Sequence, residues 1–186
     1  SALSMDKRTL FIADTYVNET PSSEQLARIA LKSAEQVRAF GLPPKVAFLS
    51  HSNYGSSRRD SARRVREAFE IFRSMAPDVE CDGEMHGDAA MLEAIRRDNL
   101  MESPLHGEAN ILVCPNIDAA NILFNILKAV TSGATTMGPM LMGAAAPAHV
   151  MTPSTTVRRI LAMMALVAAQ AGQKAGVTRL RERSAG

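Results

Sequence analysis

Short apolar runs that alternate with longer helical patterns are the feature that most constrains this chain. The runs are apolar on both faces, as strands covered by helices on both sides must be. Between them, apolar residues recur every three or four positions, which is the spacing of a helix. The alternation predicts a three-layer α/β/α domain with a mainly parallel sheet of about five strands. The candidate strands are Thr9–Ala13, Val46–Ser50, Val79–Glu84, Asn110–Cys114 and Met137–Met142.

Five helices are predicted from the intervening patterns. Ser22 caps the first, Gln25 completes its capping box and Gly41 ends it. The second begins at Asp60, and the third covers about residues 88–98. The fourth begins near Asp118. Its apolar face is predicted to consist of Ile122, Leu123, Ile126, Leu127 and Val130.

The last predicted helix begins at Thr152-Pro153, because proline suits the first turn of a helix, and runs to about Ala171. Residues 160–169 are apolar nearly all round. A helix of this kind is buried or faces a partner chain.

Composition narrows the class of protein. The chain has 186 residues, which suggests one domain, with 46% hydrophobic and 22% charged residues, as in soluble globular proteins. A net charge of +2 gives no argument for nucleic acid or a membrane surface. Cys81 and Cys114 lie in apolar runs and are interpreted as buried free thiols. With no apolar run of about 18 residues and no secretory signal, a cytoplasmic location is expected.

The domain is expected to occupy residues 6–186. Residues 1–5 are interpreted as a cloning remnant followed by a start codon, and the whole chain as a fragment of a longer protein.

Two segments combine hydroxyl groups with paired arginines. The first follows a predicted strand and precedes a helix, where a doubly wound sheet binds its ligands. Hydroxyls, helix N–H groups and guanidinium groups suit a phosphate or pyrophosphate. The alternative is a polar turn with two solvated arginines. The candidate ligands here are Ser52, Asn53, Gly55, Ser56, Ser57, Arg58 and Arg59.

The second segment begins the last helix. Thr152, Ser154 and Arg159 are its candidate phosphate ligands, and Arg158 adds a second cation. The alternative is that Thr152 or Ser154 caps the helix while the arginines face solvent. A serine nucleophile is not expected, because no G-x-S-x-G elbow is found.

The polar residues at two other predicted strand ends favour structural roles. Residues 82–88 contain three carboxylates and a histidine, but no second cluster with recognisable ligand spacing accompanies them, so no metal site is predicted. Asp88 suits the start of a helix dipole. Asn116 or Asp118 is expected to cap the following helix. No catalytic residue is assigned.

Three motifs carry a resemblance to a known family. Residues 82–85 (DGEM), 115–121 (PNIDAAN) and 138–143 (GPMLMG) resemble, in order and spacing, the second half of the phosphate acetyltransferase family. Active members continue with Ser-Arg-Gly-x-Ser-x-x-Asp, where the Arg steadies the acetyl group and the Asp accepts the coenzyme A proton. Thr152, Pro153 and Arg159 stand at the Ser, Arg and Asp positions. Proline donates no hydrogen bond, and a guanidinium cannot act as a base.

Residues 152–159 (TPSTTVRR), which depart from this motif, resemble the C-terminal region of bacterial NADP-dependent malic enzymes. The resemblance implies an acetyl-CoA-sensing and oligomerising domain, a homodimer or higher homo-oligomer, which needs no cofactor of its own. NADP and a divalent metal would belong to a malate-oxidising domain outside this chain. The resemblance also places the loop at residues 82–88 on a cleft rim or subunit contact. An active phosphate acetyltransferase and a purely structural dimerisation module remain as alternatives.

Overall fold

The computed structural model describes the chain apart from residues 100, 101, 132, 152, 154, 185 and 186, and apart from the side chains of 99 and 173–184. Its strands are β1 (Ala2–Met5), β2 (Arg8–Ala13), β3 (Lys45–Leu49), β4 (Glu80–Met85), β5 (Ile111–Val113) and β6 (Thr135–Met137). Its helices are α1 (Ser23–Ala39), α2 (Asp60–Met75), α3 (Gly87–Met91), α4 (Glu93–Asn99), α5 (Ile117–Val130) and α6 (Val157–Ser184).

The strands form one sheet in the order β4-β3-β5-β2-β1-β6. The first three neighbouring pairs in this order are parallel, whereas β1 pairs antiparallel with both β2 and β6. Two antiparallel steps restore the direction, so β6 runs parallel to β2. The mainly parallel sheet predicted from the sequence is confirmed.

Helices cover both faces of the sheet. On one face, α1 and α2 pack on strand side chains such as Phe48. Here α2 contributes Phe72, and α6 adds Met163 and Leu166 to the same cluster. On the opposite face, α3 and α5 pack on strand residues such as Ile12, to which α5 contributes Phe124. The three-layer α/β/α fold is therefore confirmed. Cys81 and Cys114 are free and buried, as predicted.

Helix boundaries follow local sequence signals most closely at α1. The Ser22 hydroxyl accepts from the Gln25 N–H at 3.2 Å, and the Gln25 side chain accepts from the Ser22 N–H at 2.8 Å. This is the predicted capping box. At α5, Asn116 rather than Asp118 is the cap, since its side-chain oxygen accepts from the Ala119 N–H at 2.9 Å.

Residues 1–5 were interpreted as a remnant outside the domain, but the structure places residues 2–5 in the sheet. Ala2–Met5 is a full strand of the sheet, and Ala2 and Leu3 are completely buried between β2 and β6. The folded unit therefore includes residues that the predicted boundary at residue 6 left out.

Three predicted elements were placed wrongly. The strand expected at Met137–Met142 is instead Thr135–Met137, because Gly138 adopts a φ of +117° and turns the chain away from β1. The single helix expected over residues 88–98 is two short helices, because the chain is extended at Leu92. The last helix begins at Val157 rather than beside Pro153.

The apolar face predicted for α5 is only partly buried, because Leu123 and Leu127 pack half-buried against the core. Ala120 and Phe124 are its buried side chains, while Ile122, Ile126 and Val130 are between 55% and 70% exposed. Leu161 and Met164 of α6 are also more than 60% exposed. The two helices therefore present apolar surface that the described residues leave uncovered.

Candidate functional site

The carboxyl edge of the sheet collects the candidate site residues. The loops after β3, β4 and β5 all leave at this edge because the three strands are parallel. Since β6 runs in the same direction, Gly138 and the start of α6 lie at this edge as well. Both predicted segments thus lie on one side of the molecule. They are separated by four strand intervals, which amount to about 19 Å.

A buried carboxylate on β4 organises the loop after β3. Glu84 is fully buried, and Arg66 of α2 binds it through two nitrogens, each 2.8 Å from a carboxylate oxygen. The Ser52 hydroxyl donates to the same carboxylate at 2.7 Å, and the Gly55 N–H donates at 2.9 Å. A buried carboxylate is stable in a protein when a guanidinium binds it through two hydrogen bonds and further donors bind its oxygens. Glu84 is therefore the anchor of the loop.

The hydrogen bonds also determine the pKa of Glu84. Burial alone would raise the pKa of this carboxyl, because it penalises the charged form. The bonds from Arg66, Ser52 and Gly55 outweigh that effect, and the pKa lies below its ordinary value. Glu84 is consequently a permanent anion at neutral pH and no candidate for a general base.

Several predicted ligand residues point inward to this anchor. Ser52 is fully buried, and its hydroxyl accepts from the Ser57 N–H at 3.0 Å. Ser56 bonds to the Ser52 hydroxyl and accepts from the Asn53 N–H. The Asn53 side chain in turn accepts from the His86 N–H at 2.7 Å. The structure thus gives Ser52, Asn53, Gly55 and Ser56 loop-shaping contacts.

A second buried carboxylate on β4 supports the loop from below. Asp82 accepts from the Tyr54 hydroxyl at 3.0 Å and from the Ser103 hydroxyl at 2.5 Å. Burial, and then the Asp82 charge, raise the pKa of Tyr54, so the phenol stays protonated. Arg96, fully buried, donates to Ser103 and to three backbone carbonyls. The DGEM motif was expected on a cleft rim or subunit contact, but its carboxylates lie in the interior of the fold.

The other predicted residues of this loop face outward. Arg58 and Arg59 are exposed, and Ser57 lies within 3.2 Å of the exposed His51 ring. Within the described part of the chain, neither Arg58 nor Arg59 has a side-chain partner. These cations therefore remain open to an anion.

A cavity of about 490 Å³ opens beside this loop, between the ends of β3 and β5. Burial raises the pKa of Cys114, at the end of β5, to about 12. That thiol is therefore not a nucleophile at neutral pH. The cavity is lined by Leu49, Ser50, His51, Ser61, Gly87, Cys114, Pro115, Asn116, Ala119 and Leu123.

The start of α6 uses its arginines differently. The Arg159 guanidinium donates to the Gly138 carbonyl at the end of β6, and Arg158 donates to the Thr135 hydroxyl at 2.8 Å. Both arginines thus fasten α6 to β6. The other candidates in this segment, Thr152 and Ser154, lie outside the described residues. A cavity of about 220 Å³, lined mainly by apolar residues including Pro139, Met140 and Tyr16, lies beside this point.

Sequence reasoning missed Arg66 and the role of Glu84. The two residues are 18 positions apart and lie on different elements, so no local sequence pattern predicts their contact. Among the described residues, no three His, Cys, Asp or Glu side chains group as a metal site would require. Within the same part of the chain, no helix has the length and apolarity to cross a bilayer.

Comparison with known proteins gives consistent matches. Residues 1–168 match the family described as phosphate acetyl/butaryl transferase. The NADP-dependent malic enzyme of Salmonella typhimurium is 55% identical over 171 residues, which are 92% of this chain and 22% of that protein. The phosphate acetyltransferase of Paracoccus denitrificans is 39% identical over 162 residues, 87% of this chain and 51% of that protein.

A solved structure also matches this chain. A phosphotransacetylase from Streptococcus pyogenes superposes with a TM-score of 0.87 at 30% identity, over 92% of this chain and 53% of that one. The chain therefore spans about a fifth of the malic enzyme and about half of the acetyltransferases that it matches.

Proposed function

The chain belongs to the phosphate acetyl/butaryl transferase family, and from this premise we propose that it is a regulatory domain that senses acetyl-CoA within a malic enzyme. The malate-oxidising domain, with its NADP and divalent metal, would lie outside this chain and work in the cytoplasm. The identity of 55% to a malic enzyme, against 39% to a phosphate acetyltransferase, supports this assignment.

Arg159 is the observation that carries the proposal. The resemblance expects a carboxylate base at this position, and the structure has a guanidinium that donates to the Gly138 carbonyl. A cation with no lone pair available cannot accept the coenzyme A proton. Pro153 stands at the position of the expected arginine, and its side chain cannot supply the hydrogen bonds of a guanidinium. Transfer chemistry is disfavoured, whereas anion binding at the carboxyl edge is not.

An active phosphate acetyltransferase is the second candidate. It is favoured by the 39% identity and by the TM-score of 0.87 to solved and curated members of that class. The two candidates differ in one measurable property, the conversion of acetyl phosphate and coenzyme A to acetyl-CoA. Loss of a positioned base alone costs about 10²–10⁴-fold in rate, so turnover should be negligible here.

The test uses the intact protein that contains this chain. Malate oxidation is followed while acetyl-CoA is titrated, and acetyl transfer is assayed in parallel. We expect the oxidation rate to respond to acetyl-CoA and Arg58→Ala to weaken that response. Arg38→Ala, which removes an exposed arginine of α1 paired with Asp78, is the matched control. Acetyl transfer that Arg159→Ala abolishes would establish the second candidate instead.

We also propose that the domain assembles as a homodimer or higher homo-oligomer. The exposed apolar side chains of α5 support this, and those of α6, on the opposite face of the sheet, offer a second surface, since exposed apolar patches mark contact sites. A two-fold interface of more than about 1,000 Å² is expected. Sedimentation of the intact protein at micromolar concentration should show no monomer. Ile126→Glu, on the exposed face of α5, should weaken self-association, whereas a monomeric parent protein would refute assembly through this domain.

A further inference from the structure

A histidine connects the loop between β6 and α6 to two helices. This loop, residues 138–151 (the β6 loop), turns back so that the Leu141 backbone N–H donates to Nδ1 of His149 at 3.1 Å. The other ring nitrogen of His149, Nε2, lies 2.9 Å from the side-chain oxygen of Gln170 on α6. The Gln170 amide nitrogen then donates to the side-chain oxygen of Gln36 on α1 at 2.8 Å. The half-buried ring of His149 thus joins the two arms of the loop to α6 and, through Gln170, to α1.

The direction of these hydrogen bonds determines the protonation of the ring. A backbone N–H can only donate, so Nδ1 of His149 must present a lone pair and not a proton. Nε2 therefore carries the single ring proton and donates it to the Gln170 oxygen. A second proton, on Nδ1, would place a donor against the Leu141 N–H and remove that hydrogen bond. The two contacts of His149, with Leu141 and Gln170 (the His149 bridge), therefore require a neutral imidazole.

Few other side chains are available to hold the turn of the β6 loop. Residues 143–148 are glycine, alanine and proline, whose small side chains bury little apolar surface. The loop also forms part of the wall of the cavity of about 220 Å³, to which it contributes Pro139, Met140, Leu141, Met142 and Val150. Since Leu141 and Val150 lie on opposite arms of the loop, the His149 bridge holds together two parts of this cavity wall.

The charged groups of the loop and of the two helices leave the ring of His149 without a counter-ion. The β6 loop contains no Asp, Glu, Lys or Arg. On α1, the charged side chains within four residues of Gln36 are engaged elsewhere, because Lys32 pairs with Glu35 and Arg38 pairs with Asp78. On α6, the charged side chains that the structure describes are the arginines 158 and 159, which bond to β6 and its end.

Two further ionisable groups lie in the wall of the same cavity. Burial opposes the ionisation of Asp14, but hydrogen bonds from residues 16–18 outweigh this effect and hold its pKa below the ordinary value. The Ser1 amino group donates to the Ile12 carbonyl at 3.0 Å, and burial lowers its pKa to about 6. Because the Ser1 group titrates in a range where imidazoles also titrate, only a change at His149 itself distinguishes the two.

We propose that the His149 bridge is a pH-sensitive contact, which holds the β6 loop against the cavity while the imidazole is neutral and releases the loop when the ring is protonated. The bridge is complete at alkaline pH and is lost as the pH falls through the region, near about 6.5 for a free imidazole, in which the second proton is taken up. It rests on the proposed function in one respect. Because the β6 loop leads to the start of α6, its release should weaken the response of malate oxidation to acetyl-CoA.

Hydrogen–deuterium exchange of the intact protein tests the bridge between about pH 8 and about pH 5.5. The exchange rate of the Leu141 amide is divided by the rate of an unstructured amide at the same pH, because acid itself slows exchange. We expect this normalised protection to fall about fivefold toward acid, which corresponds to the loss of one hydrogen bond. The buried α1 amide of Ala30 should keep its protection, which distinguishes release of the loop from unfolding.

Two substitutions at histidines separate this contact from other titrations. His149→Gln provides an amide that can accept and donate but does not titrate near neutral pH, so the fall in Leu141 protection should disappear. His106→Gln changes a histidine near the start of β4 whose side chain is 72% exposed. This matched control should keep the pH dependence of the parent protein.

Gln170→Glu tests the direction of the effect. The change places a carboxylate beside Nε2 of His149, and a neighbouring anion favours the doubly protonated ring. The fall in Leu141 protection should then begin at a higher pH than in the parent protein. An unchanged or lower starting pH would contradict the assignment of the effect to His149.

The outcomes separate the bridge from the proposed function. Leu141 protection that is independent of pH, or that falls equally in His149→Gln, would overturn the bridge, and so would loss of the pH dependence in His106→Gln. A response of malate oxidation to acetyl-CoA together with pH-independent protection would leave the sensing proposal standing and overturn the bridge. Protection that depends on pH through His149, without any response to acetyl-CoA, would keep the bridge and overturn the sensing proposal.

Discussion

The loop after β3 and the start of α6 contain the same kinds of residue and use them in opposite ways. Each joins the sheet edge to a helix, and each has hydroxyls followed by two arginines. In the β3 loop, hydroxyls turn inward to Glu84 and the arginines are left exposed. At α6, the arginines themselves make the fastening contacts, to Gly138 and Thr135.

The difference follows from the strand below each segment. β4 offers a buried carboxylate that needs several donors, so hydroxyls and N–H groups are drawn to it. β6 is a short strand at the edge of the sheet, and its end offers a carbonyl oxygen as acceptor. Composition alone therefore does not separate a ligand loop from a structural one. The partner beneath the segment decides which polar groups remain free.

The largest effect in this comparison is expected from Arg66→Met. The change leaves the Glu84 carboxylate buried without its principal partner. It should lower the free energy of unfolding by about 3 kcal/mol, as for a broken buried pair. Denaturant unfolding measures this value, and Arg63→Met, at an exposed arginine of the same helix, is the control and should cost less than about 0.5 kcal/mol.

Glu84→Gln should cost less than Arg66→Met, because the side chain of Arg66 is 37% exposed and water can solvate it. Equal losses for the two changes would contradict the view that the buried carboxylate is the demanding partner.

The pH dependence of stability should change sign between the parent protein and Arg66→Met. In the parent, the pKa of Glu84 is lowered in the folded state. Its stabilisation is therefore complete above the ordinary carboxyl pKa of about 4.3 and is lost as the pH falls through the folded value. In Arg66→Met, burial should dominate and raise this pKa, so acid should stabilise the variant over the same range. Parallel pH profiles of denaturant unfolding would refute the assigned cause.

The arginine contacts that hold α6 on β6 should contribute less to the free energy of unfolding than the Arg66–Glu84 pair does. Arg159→Ala removes the donor to the Gly138 carbonyl, and we expect a loss of about 1 kcal/mol, the usual net value of one hydrogen bond. In the Arg159→Ala variant, the backbone amides at the start of α6 should exchange their hydrogens faster than those of the β3 loop. A change confined to ligand affinity, with unaltered exchange, would instead give Arg159 the binding role predicted from the sequence.

Local signals explain what the sequence could predict. The capping box at Ser22 and the cap at Asn116 require only residues three positions apart. β1 was missed because a four-residue strand near Ser1 has no flanking pattern, and its burial depends on β2 and β6. The exposure of Ile122, Ile126 and Val130 on α5 could not be predicted, because apolar spacing cannot tell whether the same chain or another surface covers them.

The candidate site was predictable in its place but not in its contacts. A polar loop after a strand marks the carboxyl edge of a parallel sheet, and the β3 loop lies there. The anchor, Glu84 with Arg66, and the hydrogen bond from Arg64 to the Pro115 carbonyl depend on packing between α2, β4 and the β5 loop. Contacts of that kind are set by the tertiary fold, and residue spacing does not encode them.

The smallest effect on stability is expected from Arg58→Ala. Its side chain is exposed and has no partner within the described part of the chain, so the free energy of unfolding should change by less than about 0.5 kcal/mol. The same change should still weaken acetyl-CoA binding, because an unengaged guanidinium is available to phosphate in a way that Arg159 is not. Unfolding and calorimetric titration on one variant therefore separate the two uses of arginine. If Arg58→Ala destabilised the protein as much as Arg159→Ala, the β3 loop would be fastened by its cations too, and the contrast between the two segments would fail.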